Sequence, residues 1–377
     1  MSLHHLVTFP RRTPRGVKLL SIVTLGAIAL AACSTAGGTG SSSTSNASKG
    51  VDPKNLVLVE SVRSLSNPYH AQWVKGGQLF AESVGAKLTV LTDEGDSQKQ
   101  LSQISSLANS GKTIVLNVDP NTNADTQAIV RTVTAANGYV VTQWNKPDGF
   151  LPWTVGNNWV GHISFDGNVG GEKTAKILFD AMGGSGGIIA LQGILDNVSA
   201  QQRYAGLQTA LTANSGIQLL DQQTANWDLN QAFKVTQTLL AKYGDKVKGI
   251  WAANDNMALG AIQALTASGQ VGKIPVVSAS DAVPQALADI KAGNVGFLAT
   301  MSTDAYWQGA VGLEIAYNAA IGKTDVATLT HEQRAFYGTQ VLVTKDNVDS
   351  VLAPATADSL KADFADPYKR MTGPITK

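Results

Sequence analysis

From Asn55 onward the chain repeats one pattern: a short apolar run, an amphipathic stretch, then another apolar run. Residues 56–61, 87–91, 113–117, 139–142, 187–191, 217–221, 249–253, 275–279 and 296–301 read as strands. Residues 68–84, 97–110, 125–137, 169–182, 200–213, 229–243, 256–268 and 304–321 read as the helices between them. Such alternation predicts an α/β fold of parallel sheet with helices on both faces, whose strands are apolar throughout. The βα units are too many for one compact sheet of ordinary size, so two similar domains are expected. A break falls near residues 162–171, where a strand-like run meets a Gly-rich turn and a new helix. The stretch FLPWTVGNNWVGHI (150–163) is expected as a hairpin at the hinge or a lobe edge.

The segment before this body has a different character. Arg11, Arg12, Arg15 and Lys18 precede an apolar run, LLSIVTLGAIALAA, at 19–32. That run is short for a membrane span but suits the core of an export signal. It ends Leu30-Ala31-Ala32-Cys33, which resembles the lipobox of bacterial lipoproteins. The resemblance implies cleavage before Cys33 and a lipid on its thiol. Cys33 is the only cysteine, so no intrachain disulfide forms. The following STAGGTGSSSTSNASKG has a flexible tether's composition. Residues 1–32 are thus expected as a lipoprotein signal peptide and 33–54 as a Gly/Ser-rich tether. The body would be held at the extracytoplasmic face of the cell membrane. Without the four cations of residues 1–32 the net charge falls from +1 to −3. Phosphate backbones need clustered cations, so nucleic acid is not an expected partner.

Several catalytic outlines fail on detail. GGSGG (183–187) follows a helix and opens a strand, the reverse of a nucleophile elbow. GNVGGEKT (167–174) has Glu172 where a phosphate loop needs glycine. DPNTNAD (119–125) starts like a calcium loop but has Ala124 and Val130 at the turn-glycine and bidentate-acid positions. A turn and helix cap fit it better. His70, His162 and His331 lack metal spacing, and the body has no cysteine for thiol chemistry. No enzyme, cofactor or metal is expected.

In open α/β sheets ligands bind beyond the carboxyl ends of strands. Those positions hold SLSNPYH (64–70), Asp119, Trp144 with Asn145, Arg203, Trp227, Asn254 with Asp255, and Asp281. Flat aromatics mixed with amides, carboxylates and an arginine suit a neutral polyhydroxylated ligand, carbon faces on the rings and hydroxyls on the polar tips. Asp255 is expected to cap the helix that follows it. Trp73, Trp251 and Trp307 fall in core patterns, while Trp153 and Trp159 stay open between packing and ligand contact.

The segments SNPYHAQWVKG, ALQGILDNVSAQQRYAG and ANDNMALGA occur in that order between Asn55 and the last strands near Gly338 to Thr344. The body resembles the type I periplasmic binding proteins, the ribose- and galactose-binding branch of the ABC importers. The resemblance implies two Rossmann-like lobes, each a parallel sheet flanked by helices, joined by three hinge crossovers with a ligand cleft between. The crossovers are expected near 165–166, 302–304 and 336–338. One lobe would then comprise 55–165 with 304–336, the other 166–303 with 337–377. It further implies that Asn67, Tyr69, His70, Asp119, Trp144, Asn145, Arg203, Trp227, Asn254, Asp281 and Thr303 line the site, Thr303 standing where the family often has glutamine. The expected protein is a monomer that binds a neutral monosaccharide or polyol and hands it to an ABC permease.

At 144 and 145 the family commonly has Asp then Arg; this chain has Trp then Asn. The exchange removes ionic anchors and adds flat surface, which points toward a polyol or deoxy-sugar. Alternatives are the same fold binding a signal molecule, or a lipoprotein hydrolase built on Ser185. A repressor with this effector fold would need an N-terminal helix-turn-helix instead of a signal segment.

Overall fold

The computed structural model describes residues 50–377. The expected signal peptide, Cys33 and the tether up to residue 49 lie outside the described residues. Among the described residues no helix is long and apolar enough to cross a membrane.

The chain builds β1 (Leu56–Val62), β2 (Leu88–Thr92), β3 (Thr113–Val118), β4 (Tyr139–Gln143) and β5 (Trp159–Ser164) with helices between them. It continues with β6 (Gly186–Gln192), β7 (Ile217–Thr224), β8 (Val247–Ala252), β9 (Val276–Ser278) and β10 (Phe297–Ser302). The last strands are β11 (Ala335–Gly338), β12 (Val341–Thr344) and β13 (Met371–Pro374). A seven-stranded sheet runs β13-β11-β5-β4-β3-β1-β2 and a six-stranded sheet runs β12-β10-β9-β8-β6-β7. Every pairing is parallel except β10 with β12 and β11 with β13. The expected two-lobe α/β architecture is therefore present.

Helix starts follow from capping. Asp96 accepts from the amides of Gln98 and Lys99, and Thr122 forms a capping box with Asp125, so the 119–125 segment is a turn and cap as expected. The inner strands are buried on both faces, while β2 and β7 lie at sheet edges and are partly exposed. Trp73, Trp251 and Trp307 are fully buried, as their patterns imply.

Three expectations are corrected. Residues 150–163 form no hairpin: Pro152–Val155 is a short helix and Trp159 begins β5, an inner parallel strand. The third crossover lies at 339–340, between β11 and β12, rather than at 336–338. The 337–377 segment also does not stay with the second sheet. After β12 it packs Val348–Ser350 on the Pro284–Ala292 helix, then Ala357–Ala365 on the Ala305–Ala320 helix, and ends as β13 in the first sheet. The chain thus passes between the sheets a fourth time. Arg370 fastens this strap: it donates to Asp304 (2.6 Å) and to both oxygens of Asp363 (2.9 and 2.7 Å), and its carbonyl accepts from Thr339 N (2.8 Å). Two crossover segments are tied together at that point.

Candidate functional site

Residues that follow β1, β3 and β4 in the first sheet meet residues that follow β6, β7, β8 and β9 in the second. They enclose a cavity of about 50 Å³. At roughly 10–15 Å³ per water that is room for a few water positions. Ten of the eleven residues expected at the site line it: Asn67, Tyr69, His70, Asp119, Trp144, Asn145, Arg203, Trp227, Asn254 and Asp281.

Thr303 does not reach the cavity. Its hydroxyl and carbonyl accept from Gln308 Nε2 (3.1 and 3.0 Å), and Gln308 Oε1 accepts from the Tyr69 hydroxyl (2.7 Å). Its place is behind the wall, at the crossover. Trp153 and Trp159 are not in the cavity either. Trp159 packs on Phe150 in the first-sheet core and Trp153 stacks on His331 at 4.0 Å. The expected cap role of Asp255 is also displaced by one residue. Asn254 is the cap, accepting from Met257 N (3.0 Å). Asp255 is buried and accepts from Val283 N (2.8 Å) and Thr300 Oγ1 (2.6 Å), which fixes the turn that carries Asp281.

The aromatic polar tips are all consumed inside the protein. Trp144 Nε1 donates to the Tyr69 hydroxyl (2.7 Å), which donates onward to Gln308. Trp227 Nε1 donates to Asn197 Oδ1 (2.8 Å). The rings therefore contribute carbon surface. Trp144, Trp227 and Asp281 all have positive φ (62°, 66° and 114°). Non-glycine residues held there cost on the order of 1 kcal/mol each, and such strain clusters where a side chain must be aimed.

Arg203 joins the two halves. Its guanidinium carbon lies 4.9 Å from the Trp144 ring centre and 5.4 Å from that of Trp227. One N–H donates to Ala253 O (2.9 Å), which leaves most of the fork for other partners. Burial lowers its proton affinity and Asp281 raises it; a guanidinium so placed stays charged. Burial pushes the Asp281 carboxyl up, and Arg203 opposes that rise. Across the site His70 Nε2 lies 3.3 Å from Asp119 Oδ2. Asn145 Nδ2 donates to Pro120 O (2.9 Å), and its buried Oδ1 has no protein partner among the described residues.

Sequence reasoning missed Arg63, Asn197 and Ser199, which also line the cavity. Asn197 spans the cleft. Its Oδ1 holds Trp227 in the second half, and its Nδ2 donates to Asn121 O (2.8 Å) in the first. Val198 N donates to Asn123 Oδ1 (3.3 Å) beside it.

Two glycines of the recognised segments have packing reasons. A Cβ at Gly206 would stand 2.2 Å from Asn168 O, so this glycine lets the Val198–Ala213 helix approach the Gly167–Ala181 helix. A Cβ at Gly193 would stand 2.0 Å from the Trp227 ring. Gly193→Ala is expected to push that ring off its place and weaken ligand binding about ten-fold, with Asn197 still present. A binding titration beside circular dichroism checks this, and unchanged affinity would mean that the ring's place is unimportant.

Asp255 provides a pH signature. Burial, then the charge of Asp281, pushes its carboxyl up to about 8. In the unfolded chain an aspartate titrates near about 3.9. Between those values the native state binds more protons, so stability falls as pH rises. Asp255→Asn should flatten that fall between pH 5 and 7.5 in denaturant titrations. Equal slopes in the two proteins would mean Asp255 is ionised when folded.

The periplasmic binding protein domain family matches residues 60–324. The ribose import binding protein of Haemophilus influenzae is 30% identical over 260 residues, 69% of this chain and 84% of that protein. The xylitol-binding protein of Mycolicibacterium smegmatis is 27% identical over 289 residues, 76% of this chain and 77% of that protein. The crystal structure of a twin-arginine translocation pathway signal protein from Burkholderia phytofirmans superposes with a TM-score of 0.81 at 44% identity, covering 85% of this chain and 98% of that one. The ribose and xylitol relatives are binding proteins rather than enzymes. The chain belongs to the periplasmic binding protein family.

Proposed function

We propose that this protein captures a neutral sugar or sugar alcohol between its two sheets, outside the cytoplasm, and delivers it to an ABC permease. The observation that carries this reading is the chemistry of the cavity wall. Three aromatic residues offer carbon faces with their polar tips already bonded. Around them stand acceptors on Asp119, Asp281 and Asn145, and donors on Arg203, Arg63 and Asn67. Two carboxylates and two guanidinium groups line the same cavity, and a neutral ligand adds no further charge to that wall. A hydroxyl both donates and accepts, and the mixed wall suits a ring or chain of hydroxyls. The ligand touches both halves, so its affinity is greater for the closed arrangement and binding favours closure. Ribose- and xylitol-binding relatives support the ligand class.

Within that class the pair Trp144 and Asn145 favours a polyol or deoxy-sugar over a free hexose. Trp144 lies 5.0 Å from Phe165 and under Arg203, and it offers no acceptor to a hydroxyl. Titration of intrinsic fluorescence reads binding directly, since Trp144 and Trp227 line the cavity. A saturable change with xylitol, ribitol or a deoxypentose is expected at lower concentration than with glucose; tighter binding of glucose would contradict the narrower reading.

The same proposal includes a lipid on Cys33, a tether over 33–49 and a monomeric body at the outer face of the membrane; the expected tether end at 54 is too late, since Val51 N already donates to Ala320 O (2.8 Å) and Pro53–Asn55 is a helical turn. The support is the sequence Leu30-Ala31-Ala32-Cys33 after a short apolar core. Cys33→Ala should move the protein from the membrane fraction to the soluble fraction. Retention in the membrane fraction would remove the lipid from the account.

A further inference from the structure

Gln308 is fully buried in the first turn of the Ala305–Ala320 helix, just past the second crossover, and does not line the ligand cavity. Its main chain is bound to the first sheet. Its carbonyl accepts from Asn117 Nδ2 (3.1 Å) on β3 and from Gln143 Nε2 (2.9 Å) on β4. Its side chain bridges the cavity residue Tyr69 and the crossover residue Thr303.

The chemistry of the partners fixes the direction of each bond in this row. The carbonyl of Thr303 can only accept, so the end of the Gln308 amide that faces it, 3.0 Å away, is Nε2. Oε1 therefore faces Tyr69, and an amide oxygen only accepts, so the Tyr69 hydroxyl donates to it (2.7 Å). A phenol has one hydrogen, and burial pushes the Tyr69 pKa up, so that hydrogen stays in place. The Trp144 indole can only donate, and it donates to the same phenol oxygen (2.7 Å). The row from Trp144 through Tyr69 and Gln308 to Thr303 thus runs one way.

Two consequences reach the cavity. The Tyr69 hydrogen is withheld from a ligand, although Tyr69 lines the cavity. The Trp144 ring, on a backbone of positive φ (62°), is anchored through its N–H to a residue fixed on the first sheet and the crossover. We propose that Gln308 is a positioning residue that sets the specificity of the carbohydrate site: by taking the Tyr69 hydrogen it makes Tyr69 and Trp144 a carbon wall with no donor. A ligand hydroxyl directed at this wall loses its hydrogen bonds to water and gains none, so ligands bare at that position are favoured. This specificity rests on the carbohydrate reading; the relay behind it does not.

The Trp144 indole N–H resonance, assigned by its loss in Trp144→Phe, reports the relay in the protein without ligand. Gln308→Met keeps nearly the same volume and removes the acceptor. It should shift that resonance and speed its exchange with solvent several-fold. Tyr69→Phe leaves Gln308 untouched and carries the test if Gln308→Met does not fold; it should have the same effect. Gln308→Met added to Tyr69→Phe should change nothing further, because the two act through one hydrogen bond. Titrations with xylitol and with glucose read the consequence. The preference for xylitol should shrink about five-fold in Gln308→Met, the worth of one neutral hydrogen bond. An unchanged resonance in either variant, or an equal shift from Gln308→Met with and without the Tyr69 hydroxyl, would overturn the relay. A shifted resonance with an unchanged preference would overturn its part in specificity. Binding of neither xylitol nor glucose would count against the carbohydrate reading, while the resonance still decides the relay.

Discussion

Arg203→Ala is expected to weaken ligand binding about 100-fold, near 2.8 kcal/mol at 1.4 kcal/mol per decade. The size follows from what Arg203 touches. It is buried between Trp144 and Trp227, spends one N–H on Ala253 O, and lies close enough to Asp281 to oppose the upward pull of burial on that carboxyl. Hydrogen bonds from a charged donor are worth roughly 1.5–3 kcal/mol, and removing one member of a buried charged pair costs roughly 2–5 kcal/mol at an interface. The variant should stay folded, because Asp281 can take a proton when its cation is gone. Titration calorimetry with a folding check by circular dichroism measures the loss. Affinity within two-fold of the wild type would mean that the ligand does not use this arginine.

Trp227→Ala should cost roughly 30-fold, about 2 kcal/mol. The alanine removes a carbon wall, one of the two rings flanking Arg203, and the donor that Asn197 Oδ1 accepts. The last loss matters because Asn197 also holds Asn121 across the cleft. Much of the effect should therefore appear as faster ligand release. Trp227→Phe keeps a ring and loses the N–H. It should release ligand faster than the wild type with a smaller drop in affinity than alanine gives. Stopped-flow release rates separate the two contributions. Identical rates for all three proteins would place Trp227 outside the site.

The strand-end rule made most of this cavity legible, because the residues after β1, β3, β4, β6, β7, β8 and β9 were conspicuous once the strands were found. What remained hidden has physical causes. Asn197 stands at a helix N-cap, a place that usually explains an asparagine, yet its side chain makes no cap bond and is free for Trp227 and Asn121. Asn254 and Asp255 are both good caps, and only the fold decides that Asn254 caps while Asp255 holds Val283 and Thr300. Thr303 was expected from its place in the chain, but Gln308 within the following helix occupies its hydroxyl. Residues 371–374 (MTGP) carry no apolar run that would announce a strand. They are a strand because β11 offers an open edge on which they pair antiparallel. The hairpin expected at 150–163 failed because Trp159 packs inward against Phe150 and draws that segment into the first-sheet core.

A thermal-shift panel tests the central claim most directly. The protein is melted in neutral pentoses, hexoses and sugar alcohols, and separately in amino acids and in sugar phosphates. A ligand present at 100 times its dissociation constant adds about 2.7 kcal/mol of stability. At least one neutral sugar or polyol should raise the melting temperature by several degrees, with no response from amino acids or phosphates. A response confined to amino acids or phosphates would contradict the account.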